Sequence, residues 1–286
     1  MDPNGNIQFD ALLPADMAAK AEQIGIKKAN LSLVSTFVLA ILAGAFISLG
    51  AVFATTVVAG TGDLIPYGIR QLLAGLVFSL GLILVVVGGA ELFTGNAMIV
   101  MAWANKKVTG RMLLRNWILV YCGNLVGAMG TVALVFLSRQ YTYGNGAVGA
   151  AALATANAKS GLEFFQAVVL GILCNTLVCL AVWMTISART TTDRILAVIP
   201  PITAFVAAGF EHSIANMYFI PIGMLIKQFA PDSFWAAIGK TPADYVHLTW
   251  SNFLVANLVP VTIGNIIGGG VLVAAIYWFV YLRKHA

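Results

Sequence analysis

The chain has 286 residues, of which 60% are hydrophobic and 9% are charged, and its formal net charge is +5. Soluble domains carry about 25% charged residues, so this composition excludes a soluble globular protein and indicates a membrane protein. The positive charge reflects membrane topology and gives no reason to expect a nucleic-acid partner. The three cysteines lie in apolar segments without the spacing of zinc ligands, so we predict no disulfide, metal or other cofactor.

The first 28 residues are predicted to form a cytoplasmic amphipathic segment. Apolar side chains recur at helical spacing at Leu13, Met17, Ala21 and Ile24. Pro14 suits the first turn of such a helix. The helix fits either an anchor at the membrane interface or a lid over the cytoplasmic mouth of a pathway.

Six long apolar intervals follow, and only Glu91 and Glu211 place a formal charge inside them. Each interval holds the roughly 20 apolar residues that cross a hydrocarbon core. The intervals are 29–62, 71–105, 116–138, 164–188, 195–226 and 245–282. We therefore predict an all-α integral membrane protein with six transmembrane helices.

The second interval contains glycine and polar residues near its cytoplasmic end. Residues 88–97 combine three glycines with Glu91, Thr94 and Asn96. Non-helical backbone at membrane depth is tolerated only where protein or a water-filled cavity satisfies it. We predict that span two is broken here and is completed by a short helix ending near Ala104. The alternative is an unbroken helix in which Thr94 bonds back to a carbonyl.

The fifth interval is interrupted at Glu211 and His212, just after Gly209. An ionisable pair at this depth is costly and marks a functional site, and a glycine weakens a helix. We predict a broken span whose half-helix from Ser213 favours anions through its free N–H groups. His212 is a candidate for proton exchange with a weak acid, or else a structural histidine. Glu211 is a candidate to cap the half-helix or to orient His212.

Two sequence echoes relate the first three spans to the last three. A Glu-x4-Asn spacing starts at Glu91 and again at Glu211, and a Gly-Asn-x-x-Gly motif starts at Gly123 and again at Gly264. A repeated unit of three spans re-enters the membrane with the opposite orientation. We therefore predict an inverted 3+3 repeat with broken helices two and five around a pathway, as in transporters and channels.

These patterns predict three segments along the chain. The amphipathic segment covers 1–28, the six-span domain 29–283 and a cytoplasmic tail 284–286. Within the domain, repeat one covers about 29–138 and repeat two about 160–283.

Lysine and arginine positions predict the orientation. With both termini in the cytoplasm, 11 of the 16 basic residues lie inside and 5 outside, in agreement with the positive-inside rule. We predict a multi-pass membrane protein with both termini cytoplasmic and with membrane lipid as a partner.

Enzymatic function is not supported by the sequence, which lacks HExxH, GxSxG and nucleotide-binding motifs. An aquaporin-like channel for neutral solutes is an alternative, because it also has two half-helices in an inverted repeat. However, Gly-Asn-Ala at 95–97 and Ala-Asn-Met at 215–217 lack the Asn-Pro-Ala of that channel.

Four motifs of this chain resemble the formate/nitrite transporter family. They are Glu-Leu-Phe-Thr-Gly at 91–95, Asn-x-x-Val-Cys-Leu-Ala-x-Trp-Met at 175–184, Gly-Phe-Glu-His-Ser-Ile-Ala-Asn-Met at 209–217 and Gly-Asn-Ile-Ile-Gly-Gly at 264–269. The resemblance implies an aquaporin-like protomer and a homopentamer in the bacterial inner membrane. It also implies a passive, pH-sensitive channel for formate and related small monovalent anions or their acids. A nitrite channel and a proton-coupled formate carrier are the alternatives.

The resemblance further implies roles for individual residues. His212 would be the central pore histidine and Thr94 its partner. Asn175 and Asn265 would offer polar contacts, and Lys159 would raise the local anion concentration in a vestibule. The constriction residues would be Phe78, Leu82 and Phe205 on the outer side and Leu92 and Phe93 on the inner side.

Overall fold

The structure, a computed structural model, describes residues 11–62 and 64–283 and confirms the predicted all-helical membrane class. Positions 1–10 of the predicted N-terminal segment and the predicted tail 284–286 lie outside the described residues. Within the described part, five helices are long and apolar enough to cross a membrane: Leu33–Val58, Tyr67–Gly88, Gly110–Leu137, Phe164–Ser187 and Asn252–Tyr281. The remaining predicted crossing, at 195–226, is divided between two helices.

The first helix, α1 (Pro14–Ala29), lies in the predicted amphipathic segment and has Pro14 at its start. Its buried face includes Met17, Ala21 and Gly25. A Cβ on Gly25 would lie 3.3 Å from the Ala102 side chain, so only a very small residue permits this contact. The helix is therefore packed against the protein rather than lying free at the membrane surface.

The first three spans contain one interrupted helix, as predicted. The elements are α2 (Leu33–Val58), α3 (Tyr67–Gly88), a 3₁₀ turn (Gly95–Ile99) that continues as α4 (Val100–Ala104), and α5 (Gly110–Leu137). α3 ends at Gly89, whose φ of 77° is left-handed and suits glycine. Thr94 lies before the 3₁₀ turn, so the alternative of an unbroken helix through Thr94 does not hold.

The second half repeats this plan after a connecting helix. The elements are α6 (Ala147–Ser160), α7 (Phe164–Ser187), α8 (Thr191–Ala207), α9 (Ser213–Phe229) and α10 (Asp232–Ile238). The predicted fifth span therefore consists of α8 and α9, with 17 residues each, on either side of a break that contains Gly209.

The last span, Asn252–Tyr281, alternates between π-helical and α-helical turns. Its π-helical stretches are Asn252–Leu258 and Ile267–Ala275, and the α-helical ones are α11 (Val259–Ile266) and α12 (Ile276–Tyr281). Its counterpart, α5, is α-helical throughout. The sequence did not predict this difference between the halves.

Glycines bring corresponding helix pairs into close contact in the two halves. A Cβ on Gly127 of α5 would overlap the carbonyl oxygen of Ile41 in α2, and a Cβ on Gly264 of α11 would overlap that of Val168 in α7. The Gly-Asn-x-x-Gly motifs therefore serve packing inside one protomer.

Candidate functional site

A side-chain hydrogen bond joins the breaks of the two interrupted spans. The Thr94 hydroxyl lies 3.0 Å from Nε2 of His212. Both side chains are buried, with 0% and 3% of their surface exposed. The structure thus brings together the two residues that the sequence predicts as central partners.

His212 also occupies the N-cap position of α9. Its Nδ1 accepts a hydrogen bond from the Ala215 N–H at 3.1 Å. Because Nδ1 accepts, the neutral ring carries its proton on Nε2 and donates it to the Thr94 oxygen. The hydroxyl hydrogen of Thr94 is then available to a further acceptor.

Asn265 fixes the backbone at the second break. Its Oδ1 accepts from the Ser213 N–H at 2.9 Å, and its Nδ2 donates to the carbonyls of Glu211 and Gly171 at 3.0 and 2.8 Å. Asn175 donates in turn to the Asn265 carbonyl at 2.6 Å. These amides satisfy backbone groups that a broken helix would otherwise leave without partners.

Asn124 does the same at the first break. Its Oδ1 accepts from the Phe93 N–H at 3.0 Å, and its Nδ2 donates to the carbonyls of Glu91 and Ala40 at 3.0 and 2.7 Å. Asn175 reaches this break too, because it donates to the Thr94 carbonyl at 3.2 Å. The matching bonds fit the predicted inverted repeat. The polar contact of Asn175 and Asn265 with a permeating anion stays a prediction.

Glu211 forms an ion pair with Lys159 of α6, with Nζ and Oε1 2.7 Å apart. Its other oxygen accepts from Nδ2 of Asn216 at 2.7 Å, and that same amide donates to Asn257 at 2.7 Å. Glu211 is therefore directed towards Lys159 and Asn216 rather than towards the ring of His212. Lys159 also lies 5.5 Å from the ring centre of Phe219.

The first half holds an equivalent ion pair. Lys28 of α1 lies 2.7 Å from Oε1 of Glu91, and Nδ2 of Asn96 donates to Glu91 and Asn116 at 2.7 and 2.8 Å. Lys28 also donates to Oδ1 of Asn96 at 3.0 Å. The pair ties α1 to the first break.

Two cavities adjoin the broken spans, and we call the one next to α6 the outer cavity and the one next to α1 the inner cavity. The outer cavity, next to α6, has a volume of about 270 Å³ and is bordered by Lys159, Glu211, His212 and the three rings of Phe78, Phe205 and Phe219. The inner cavity, next to α1, has a volume of about 490 Å³ and includes Lys28, Glu91, Leu82 and Leu92 in its wall.

The five residues predicted to form constrictions differ in their surroundings, and their constriction role stays a prediction. Phe78 and Phe205 pack edge to face, with ring centres 5.7 Å apart, on the outer side, and Leu92 borders the inner cavity. Leu82 borders the inner cavity although it was expected on the outer side. Phe93 contacts the rings of Trp117 and Tyr121, at 6.1 and 5.0 Å, and lines neither of the two cavities.

Comparisons with known proteins agree with this geometry. The model of the formate/nitrite transporter family matches residues 15–279. The chain belongs to the formate/nitrite transporter family. As a member of this transporter family it is not an enzyme, as predicted.

Two curated family members and one solved structure illustrate the similarity. The formate channel FocA of Escherichia coli K12 is 51% identical over 97% of both chains. FocA of Haemophilus influenzae is 43% identical over 94% of this chain and 95% of its own. A structure described as a pentameric formate channel with formate bound is 49% identical, covers 88% of this chain and 98% of its own, and superposes with a TM-score of 0.84.

The sequence analysis missed several polar residues of this family member's site. Lys28, Asn116 and Asn257 were not singled out, although each completes a network around a buried glutamate. The sequence did contain a pattern that could have identified Asn116 and Asn257. Asn116 precedes Asn124 by eight residues, and Asn257 precedes Asn265 by the same interval.

Proposed function

We propose that this protein is a passive, pH-sensitive channel for formate and related small monovalent anions or their acids. The observation that carries the proposal is the buried Thr94–His212 hydrogen bond that joins the two breaks, with His212 in the wall of the outer cavity. Relatives named formate channels, 51% and 43% identical over nearly the full length, support formate as the cargo.

The outer cavity collects the anion. Lys159 provides an ammonium group at its wall, and the ion pair with Glu211 compensates that charge. An anion is therefore attracted without being held tightly, which conduction requires. The rings of Phe78 and Phe205 then admit only small species that can lose their hydration water.

The central contact selects the cargo. The Thr94 hydroxyl, whose oxygen accepts from the Nε2–H of His212, is a donor in a site with low water access, where hydrogen bonds to an anion are strong. A further proton on the ring would sit on Nδ1 and would displace the hydrogen bond from the Ala215 N–H. The site thus has a neutral, capped state and a cationic state that attracts anions more strongly, and this makes transport depend on pH.

The proposal includes the assembly and the orientation. The chain forms a homopentamer in the inner membrane of a bacterium, with both termini cytoplasmic and one pathway in each protomer. A solved relative described as pentameric and formate-bound supports this assembly. The distribution of basic residues supports the orientation.

Purified protein in planar bilayers tests the channel class. We expect formate currents well above the turnover of a carrier, and we expect His212→Phe to abolish them with the oligomer intact. Formate flux confined to carrier rates and locked to proton movement would contradict the proposal. Uptake of nitrite, lactate and glycerol by liposomes across a range of pH then ranks the cargo, and glycerol uptake without formate uptake would also contradict it.

A further inference from the structure

The inner cavity carries an excess of positive charge that the passage of formate does not require. Its wall includes four basic side chains, Lys20, Lys27, Lys28 and Arg194, and one carboxylate, Glu91. Glu91 is already paired with Lys28. Among the residues that the structure describes, three cationic side chains therefore remain without a carboxylate in this wall. In the wall of the outer cavity, by contrast, the single lysine and the single carboxylate neutralise each other.

The basic side chains lie close enough to repel one another. The pKa of Lys20 is lowered by partial burial and by the charges of Arg189 and Arg194. The Lys20 ammonium donates to the carbonyl of Ile186 at 3.0 Å, which holds it at the cavity wall. An anion of several charges placed between Lys20 and Arg194 would relieve this repulsion.

The nearest carboxylate on α8 is otherwise engaged. Asp193 accepts from the backbone N–H groups of Arg189 and Thr190, at 3.1 and 2.9 Å, and completes the cap of that helix. It does not border the cavity. The side chain of Arg194 has no hydrogen bond or ion pair within the described residues.

The size of the cavity selects what binds there. At about 490 Å³ it is far larger than one formate ion needs, and its wall includes Leu82 and the predicted constriction residue Leu92. A polyvalent anion cannot shed its water at such an apolar constriction. Such an anion would enter the inner cavity and bind there without passing through the protein.

We propose that the inner cavity binds a small soluble anion of the polyphosphate class through Lys20, Lys27 and Arg194, and that the bound anion blocks the pathway from the α1 side. The binding half of this inference stands on the cavity alone, whereas the block rests on the proposed channel function. The two halves are therefore tested separately.

Binding is measured by calorimetric titration of sodium tripolyphosphate into the full-length protein in a neutral detergent. We expect saturable binding that weakens with added salt. Arg194→Gln and Lys27→Gln should each weaken it about fivefold, as expected for one exposed charge contact. Lys107→Gln is the matched control, because Lys107 is exposed in the loop after α4 and lies outside the cavity wall. Absence of binding, or an equal loss in the control, overturns the proposal.

Block is measured as formate current in bilayers made only of zwitterionic lipid. Tripolyphosphate should reduce the current when added on the α1 side and not on the other side, and Arg194→Gln should raise the half-blocking concentration about fivefold.

Bilayers that contain phosphatidic acid form the second arm. A current that falls only with this lipid, while free tripolyphosphate has no effect, assigns the site to a lipid headgroup and overturns the soluble ligand. A protein without formate current that still binds tripolyphosphate contradicts the channel function and leaves the site intact.

Discussion

The hydroxyl of Thr94 and Nε2 of His212 lie 3.0 Å apart although 118 residues separate them in the chain. One residue belongs to the break after α3 and the other to the break before α9. The contact brings a hydroxyl and a titratable ring to the same buried point between the two breaks. The first two predictions concern this point.

Thr94→Val keeps the shape of the side chain and removes the hydroxyl. We expect formate uptake to fall at least about tenfold, because a hydrogen bond to an anion contributes about 1.5–3 kcal/mol. Uptake into liposomes measures this, and size-exclusion chromatography checks the assembly. Thr94→Ser, which restores the hydroxyl, is the control and should retain most of the activity. Equal uptake by the valine variant and the wild type would limit Thr94 to packing.

His212→Asn replaces the ring with an amide that caps helices well but does not titrate. The α9 cap should therefore survive and some anion conductance should remain, while the dependence of uptake on pH is lost. Uptake of formate measured against external pH, for wild type and variant in matched liposomes, is the comparison to make. Superimposable profiles would mean that His212 is a structural histidine.

Asn265→Ala tests whether the asparagines hold the breaks in place. The change leaves the Ser213 N–H and the Glu211 carbonyl buried without a side-chain partner, at a cost of about 1–3 kcal/mol for each group. We expect a clear fall in apparent melting temperature in detergent. Asn30→Ala is the control, since within the described part of the chain this exposed side chain bonds only to the carbonyl of Ile26, and it should change stability by no more than about 0.5 kcal/mol. Equal melting temperatures for the two variants would reject this role.

Gly127→Ala and Gly130→Ala form a matched pair on α5. A Cβ on Gly127 would overlap the carbonyl of Ile41, whereas a Cβ on Gly130 meets nothing within 4 Å. We expect the first change to destabilise the protein by about 1–3 kcal/mol or more and the second to be neutral or stabilising by up to about 1 kcal/mol. Thermal stability in detergent measures both. A tolerated alanine at 127 would contradict the close packing of α2 and α5.

Much of this fold follows from local features of the sequence. The length of the apolar segments predicts the transmembrane spans. A glycine near an acidic residue inside such a segment predicts the breaks at Glu91 and Glu211. The echo of Gly123–Asn124 in Gly264–Asn265 predicts the repeat, because both copies face the same need to satisfy broken backbone. These features are encoded within a few residues, so one sequence is enough to find them.

The remaining features depend on contacts between distant segments. Lys28 pairs with Glu91 across 63 residues, and no local sequence pattern predicts this ion pair. Leu82 borders the inner rather than the outer cavity because the position of a helical side chain along the pathway depends on how α3 packs. The π-helical turns of the last span likewise have no local sequence period that predicts them.

Leu92 follows Glu91 at the first break, whereas His212 follows Glu211 at the second. The imidazole therefore borders the outer cavity, and an aliphatic wall stands at the corresponding place on the inner side. An ion that arrives from one side meets a hydrogen-bond donor first, and one that arrives from the other side meets hydrocarbon first. The free-energy profile along the pathway is therefore asymmetric. The current–voltage relation of a single protomer should rectify even with identical solutions on both sides.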